Sequence, residues 1–415
     1  MNKNMKTSHQ IIGILLVAFT GTTIAKAQDR LPLDSVIARV NSNPSLLAFD
    51  SRVSAQRAYA AGAKSLDAPK LSAGQYQTPY QLNANTGSFM IQAEQMFTNP
   101  AKLKAKEEYM QGMSKVTTED KNYFKNQLVA QAKQGYFERL VLERKLAQLQ
   151  NTKNLLEYML KDANIRLTYG KENLSNIYKA KAEIFELDNN REQFANEIVQ
   201  RNILLNTLMN RNKLAAFDID TNYVLKNYDS ALTDSADLAE KRSDLKSINR
   251  NIELQQLNAR LEYSKRKPDF GIQAGHMFSY GNMANQYILM ASVTIPIVPW
   301  ASKEYQANSK GIQFEVEELK QKKADLINQA EGQLTGLKLN IASTKKQLMN
   351  YKNNIIPALQ NSYKTALLAY DQNTGDLPAV LNSIKDLQAA RMAYLDNLQL
   401  ILTLQVAYER ENESN

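Results

Sequence analysis

The residues best suited to chemistry sit in one short stretch: His276, Met277, Met283 and Met290. Thioether sulfur and imidazole nitrogen form a soft ligand set suited to Cu(I) or Ag(I). The stretch alternates, though, so that Tyr287, Leu289 and Ala291 share one face and Met290 takes the other. Phe270, Ile272 and Ala274 likewise leave Met277 on the far face, and His276 then points away from both methionines. That geometry favours methionines as adaptable wall filler, so no metal site is assigned and Met277, Met283 and Met290 stand only as candidate ligands. The other reactive-looking set is the carboxylates and amides Asp218, Asp220, Asn222, Asn227, Asp229 and Asp234. A charge-rich segment of this kind is far more often a solvated surface than a hydrolase site.

Composition argues against most enzyme chemistry. The chain has no cysteine, which excludes thiolate metal sites, cysteine nucleophiles and disulfides. It has two histidines, His9 and His276, too few for a triad or zinc site without unusual substitutes. No glycine-rich phosphate loop is present, and no cofactor is expected. Lys3 and Lys6, the apolar run Ile11 to Phe19 and the small-residue site Ala25-Lys26-Ala27 make residues 1–27 a cleavable secretory signal. The apolar run is too short to span a bilayer. The formal charge of +9 falls to +6 once Lys3, Lys6 and Lys26 leave, because that stretch holds no acid. Charges of both signs are interleaved without a basic cluster, so nucleic acid is not an expected partner.

The elements that would position these residues follow from proline and glycine. No proline occurs from 101 to 267, and glycine appears there only at 112, 135 and 170. Apolar residues recur at three and four, as in Leu142, Leu146, Leu149, Leu156 and Leu160. The pattern predicts one helix over 101–168, about 100 Å long at helical rise. Returning helices are expected at 172–214 and 236–266, separated by an irregular segment at 215–235. The second half predicts 301–372, bent at Pro357, and 378–410, with 33–67 filling the remaining height. Two regions alternate instead, predicting strands near 69–82, 86–97, 268–280 and 286–298, with turns at Asn83 to Gly87 and Gly281 to Asn285. An offset of about 200 residues relates the halves: Pro69-Lys70-Leu71 answers Pro268-Asp269-Phe270, and Leu174-Ser175 answers Leu377-Pro378.

Four strands with a lipid-compatible face cannot close a barrel alone, since edge groups in lipid must pair. Two copies give eight strands with a filled interior, and three give twelve with a channel. The C-terminal helix carries two apolar stripes, Val380, Ile384 and Leu387 on one and Leu395, Leu398 and Leu402 on another. Two stripes predict a helical neighbour on each side.

Three signals together resemble the TolC family of outer-membrane efflux proteins over nearly the whole mature chain. They are the junctions Gln95 to Pro100 and Val293 to Trp300, the turn Tyr169-Gly170-Lys171 leading to Ile177, and its counterpart Tyr370 to Leu381. The resemblance implies a mainly α fold with a small β part: antiparallel helical hairpins forming a trimeric periplasmic α-barrel, and two β-hairpins contributing to a shared twelve-stranded outer-membrane barrel. It divides the chain into a signal (1–27), an N-terminal segment (28–68), a first β-hairpin (69–97), a first helical hairpin (98–214), an equatorial segment (215–235), a helix (236–267), a second β-hairpin (268–298) and a second helical hairpin with its tail (299–415). Implied partners are two further copies, outer-membrane lipid, a periplasmic adaptor (membrane fusion) protein and an inner-membrane pump of the resistance-nodulation-division (RND) type. Tyr169, Gly170, Lys171, Thr374, Gly375 and Asp376 would dock the adaptor, with Gly170 and Gly375 supplying positive φ for each reversal. The implied role is passive efflux, with heavy-metal cations one candidate cargo. A type I secretion exit channel is the nearest alternative, and a periplasmic helical adaptor the alternative of another class. The sequence departs from the family at the tip, where Ala379 and Asn382 stand at positions that are acidic in some members, although Asp371 and Asp376 sit close by. It also lacks the lipid-modified cysteine of related channels.

Overall fold

A computed structural model describes residues 30–81, 85–228 and 235–413. The expected signal 1–27, Asn83 and Ala84 of the first turn, and Asp229 and Asp234 of the equatorial segment lie outside them. Strand β1 (Arg30–Leu31) leads into helices α1 (Leu33–Val40) and α2 (Pro44–Gly62), strands β2 (Lys70–Tyr76) and β3 (Ser88–Phe97), and helices α3 (Pro100–Thr168) and α4 (Leu174–Leu208). Strand β4 (Asp218–Ile219), helices α5 (Ser235–Lys241) and α6 (Ser243–Ser264), strands β5 (Asp269–Ser279) and β6 (Gln286–Thr294) follow, then α7 (Pro299–Asn350), α8 (Ile356–Asp371) and α9 (Leu377–Asn412). Among the described residues no helix is long and apolar enough to cross a membrane.

The 69-residue α3 starts where Pro100 sits at its first turn and the Asn99 side chain accepts from Ala101 N–H. At about 100 Å it runs the height of the molecule. It packs on α2 and α6 in its upper part and on α4 and α9 below. The shorter helices therefore stack end to end beside it. Asn43 at the start of α2 donates to Leu208 O at the end of α4 (3.1 Å). Arg242, just before α6, reaches Glu411 near the end of α9 (2.9 Å), and Ser243 donates from both its N–H and its hydroxyl to Glu413.

These junctions explain where the helices depart from the sequence expectation. Helix α4 stops at Leu208, not 214, because fully buried Asn206 donates to Lys213 O and Ala215 O and folds the chain back, with Asn210 at φ 54°. The expected 236–266 helix breaks at Arg242, whose extended backbone (ψ 125°) turns the guanidinium inward between Asp244 and Glu411. The expected 33–67 helix breaks at 41–43, where Asn43 caps a new helix begun by Pro44, and it ends at Gly62. In the second long rod the disturbance spreads upstream of Pro357. Residues Tyr351–Ile355 form a π-helical turn in which Ile356 N–H reaches back to Tyr351 O. That wider turn takes up the missing proline donor.

The four long strands form one antiparallel sheet in the order β2-β3-β5-β6, so the two hairpins meet along β3 and β5. The first strand is shorter than expected, ending before Gln77 at φ 53°, and the last stops ahead of Pro296, which has no ladder donor. Opposed pairs share a face. Leu71, Ile91, Ala93, Phe97, Phe270, Ile272, Leu289 and Val293 lie on one face, and Ser72, Gln92, Glu94, Gln273, Ser292 and Thr294 on the other. A separate parallel pair, β1 with β4, ties the N-terminal segment to the equator. The buried side chains fall into two clusters, one at the equator around Tyr136, Leu140, Leu205, Phe217 and Tyr408, the other at the far end around Leu156, Ile177, Tyr370 and Val380.

Candidate functional site

At the end remote from the sheet, α3 turns into α4 and α8 turns into α9. The first turn closes by a pair of capping bonds, Gly170 N–H to Leu167 O (2.9 Å) and Lys171 N–H to Arg166 O (2.9 Å), with Gly170 at φ 71°. That left-handed backbone with open space around it is where glycine was expected. The second turn differs. Its positive φ belongs to Asn373 (58°), not to Gly375. Gly375 is required for closeness instead, since a Cβ there would lie 3.0 Å from Ala369 Cβ. The backbone folds onto that spot because Ala369 O accepts from Thr374 N–H (2.9 Å), Gly375 N–H (3.0 Å) and the Thr374 hydroxyl (3.1 Å).

The six expected tip residues do different jobs. Tyr169 and Lys171 are exposed on the surface of the first turn. Thr374 is spent on its own turn. Asp376 caps α9, its Oδ1 accepting Ala379 N–H at 3.0 Å, so it serves the helix start before it can serve a partner.

Sequence reading missed the group that joins the two turns. The Arg166 guanidinium donates to Tyr370 O (2.9 Å) and Asn373 Oδ1 (3.0 Å), holds Asp162 on its own helix (2.7 Å), and lies 4.1 Å above the Tyr370 ring. Tyr370 is almost fully buried, and its hydroxyl donates to Glu172 Oε2 (3.3 Å). Glu172 in turn accepts from Asn173 N–H and the Asn176 amide, both at 2.8 Å. Burial alone would lower the Arg166 pKa, but the bond to and charge of Asp162, then Tyr370 and Asp371, overcome it and raise it. Burial, then the Glu172 carboxylate, pushes the Tyr370 phenol above its ordinary value. The guanidinium therefore stays charged and the phenol protonated across the physiological range. Nothing local in the sequence marks the pair, because Arg166 and Tyr370 lie 204 residues apart.

The methionines do not converge. Met277 stands opposite Met90 on β3 and Gln286 on β6, whereas Met290 stands opposite Gln273, four residues along β5. Met283 lies in the exposed turn between β5 and β6. His276 takes the apolar face, opposite Ile91 and Tyr287, with its ring 4.5 Å from Phe278. Among the described residues no cluster of three histidine or acidic side chains could hold a metal ion.

No protein-family model and no curated protein matches the sequence. Solved structures do match the fold. The chain is similar to CusC, a protein described through its conformational changes on folding and transmembrane channel formation, with a TM-score of 0.74 and 16% identity over 92% of this chain and 91% of that one. It is similar to the outer membrane protein VceC of Vibrio cholerae (TM-score 0.73, 13% identity, 92% and 95% covered). It is also similar to the CmeC outer membrane channel of Campylobacter jejuni (TM-score 0.72, 13% identity, 92% and 85% covered). The chain therefore has the TolC-type outer-membrane channel fold.

Proposed function

We propose that this chain is the outer-membrane exit duct of a tripartite efflux system, delivered by the signal at 1–27 and working as a homotrimer without chemistry of its own. The observation that carries the reading is the sheet. It has one apolar face, two unpaired edges in β2 and β6, and four strands where a membrane barrel needs at least eight. Three copies pairing β2 against β6 make a twelve-stranded barrel wide enough for a channel. The apolar face meets lipid, and Gln92, Gln273 and Ser292 line water. The helical rods continue the duct about 100 Å into the periplasm, with the equatorial segment as a belt around its middle. The turns at Gly170 and Gly375 form the tip, where a periplasmic adaptor docks and passes solute from an RND-type pump. Opening there requires the Arg166 bridge to release. Metal cargo gains no support from Met277 and Met290, which the strand register keeps apart, or from Met283 in the turn.

Lys171 gives the cleanest test, because its side chain is exposed and makes no bond that holds the turn, while the backbone N–H that does is kept by any replacement but proline. In a strain lacking the chromosomal copy, Lys171→Trp is expected to insert and assemble like the parent yet lose both export and crosslinking to the adaptor. Normal export by that variant overturns the docking assignment.

A further inference from the structure

Where the sheet meets the helices, α3 and α6 leave a cleft of about 320 Å³ lined by Lys104, Glu108, Arg260, Tyr263, Arg266 and Lys267. Four cations face one acid, and Lys104 holds that acid only at 3.9 Å. Arg260 and Lys267 are exposed and have no carboxylate partner among the described residues. Arg266 is held over the Tyr263 ring (3.9 Å to its centre) and donates to the Tyr263 hydroxyl (2.5 Å), which stiffens one wall. Most basic side chains elsewhere on these helices have a partner, as Lys102 has Asp269, Lys121 has Asp50 and Arg250 has Glu253.

The side of the wall on which the cleft opens follows from helical geometry. Lys102 binds Asp269, and Asp269 stands opposite Thr294 on the polar face of the sheet. Lys104 is two residues on, about 200° around the helix, and so lies on the side continuous with the apolar face. Immediately past the cleft that face carries exposed Phe97, Phe270 and Val293, and Trp300, in the first turn of α7 just after β6, stands 79% exposed. A cationic cleft bordered by an apolar band with an aromatic at its rim fits the boundary between headgroups and acyl chains.

We infer that this cleft binds the phosphate of an anionic phospholipid in the periplasmic leaflet, with the lipid's acyl chains lying against the apolar face beyond Phe270. The inference rests on the outer-membrane placement proposed above. Bound lipid would clamp α3 to α6 directly beneath the barrel and fix the depth at which each protomer sits.

Trp300 is the only tryptophan in the chain and stands at the start of α7, the helix packed on the α6 side of the cleft, so it serves as the reporter. The full-length protein is reconstituted into phosphatidylcholine vesicles in which either phosphatidylglycerol or a matching share of the phosphatidylcholine carries brominated chains. Brominated phosphatidylglycerol is expected to quench Trp300 well beyond its share of the lipid, and Arg260→Gln with Lys267→Gln to remove that preference at about fivefold for each cation. Arg260→Lys with Lys267→Arg keeps the charge and is expected to keep the preference. Inorganic phosphate at millimolar concentration is expected to leave the quenching unchanged; competition by it would show a free-phosphate site and overturn the lipid assignment. Equal quenching by the two brominated lipids, or a preference untouched by the glutamine pair, also overturns it. No quenching by either lipid is the different failure, because it removes the membrane placement itself.

Discussion

Arg166→Ala should loosen the tip without unfolding the rods. The side chain belongs to α3, yet its two short bonds to the other turn go to Tyr370 O and Asn373 Oδ1, and its face covers the Tyr370 ring. A hydrogen bond from a charged donor is worth about 1.5–3 kcal/mol, and a cation over an aromatic ring about 0.5–2 kcal/mol. The guanidinium is 17% exposed and its contacts are not additive, so a total of about 2–3 kcal/mol is reasonable. That is roughly a 30- to 150-fold shift toward separated turns. The parent chain has no cysteine, so spin labels can be placed at Tyr169→Cys and Gln372→Cys, both exposed turn positions. The parent should give one narrow distance between them. Arg166→Ala should add a longer population, and Arg166→Lys, which keeps the charge but not the fork, should fall between. Superimposable distance distributions in parent and Arg166→Ala would refute the bridge.

The remaining expectations concern the turns, the equator and the cargo. Gly170→Ala should cost about 1 kcal/mol from backbone alone, since nothing crowds its Cβ, whereas Gly375→Ala should cost a similar amount from contact with Ala369, and only the first should be rescued by Asn at the same position; thermal melts of the four variants decide this. At the equator, burial alone would raise the Glu409 pKa, but bonds and charges from Lys133 and Lys226 outweigh it and lower it. A depressed carboxylate stabilises the fold above its unfolded pKa and loses that contribution as pH falls through the folded one. Glu409→Gln should therefore cost about 3 kcal/mol at pH 7 and flatten the acid limb of the melting curve below about pH 4.3; an unchanged acid limb contradicts the assignment. A deletion strain should be no more sensitive to silver than its parent, as growth on graded silver will show, because Met277 and Met290 are held apart.

Much of the architecture could be read from punctuation. Pro100 and the proline-free run to Gly170 placed α3 within a residue, and the alternation around Tyr287 and Phe270 placed β5 and the start of β6 and sorted their side chains onto the right faces, His276 with Phe270 and Tyr287. These features are local, and local geometry decides them. The departures turn on particular side chains that the periodic pattern does not mark, some near in the chain and some far. Asn206 ends α4 by bonding across its own reversal, and Arg242 breaks a helix to meet Glu411, 169 residues on. The second tip turn misled for another reason. A glycine in a reversal suggests positive φ, but asparagine tolerates that region too, and here Asn373 takes it while Gly375 makes room. The Arg166 bridge was hidden because an arginine in the last turn of a helix, two residues before its end, ordinarily serves that helix's own carbonyls.

The central claim is that four strands are too few and that the chain completes its barrel with two further copies. The mass of the protein extracted from membranes in detergent, corrected for bound detergent, tests it directly. Three chains per particle is the predicted result. A folded, detergent-free monomer that keeps its β2 and β6 edges in water would contradict it.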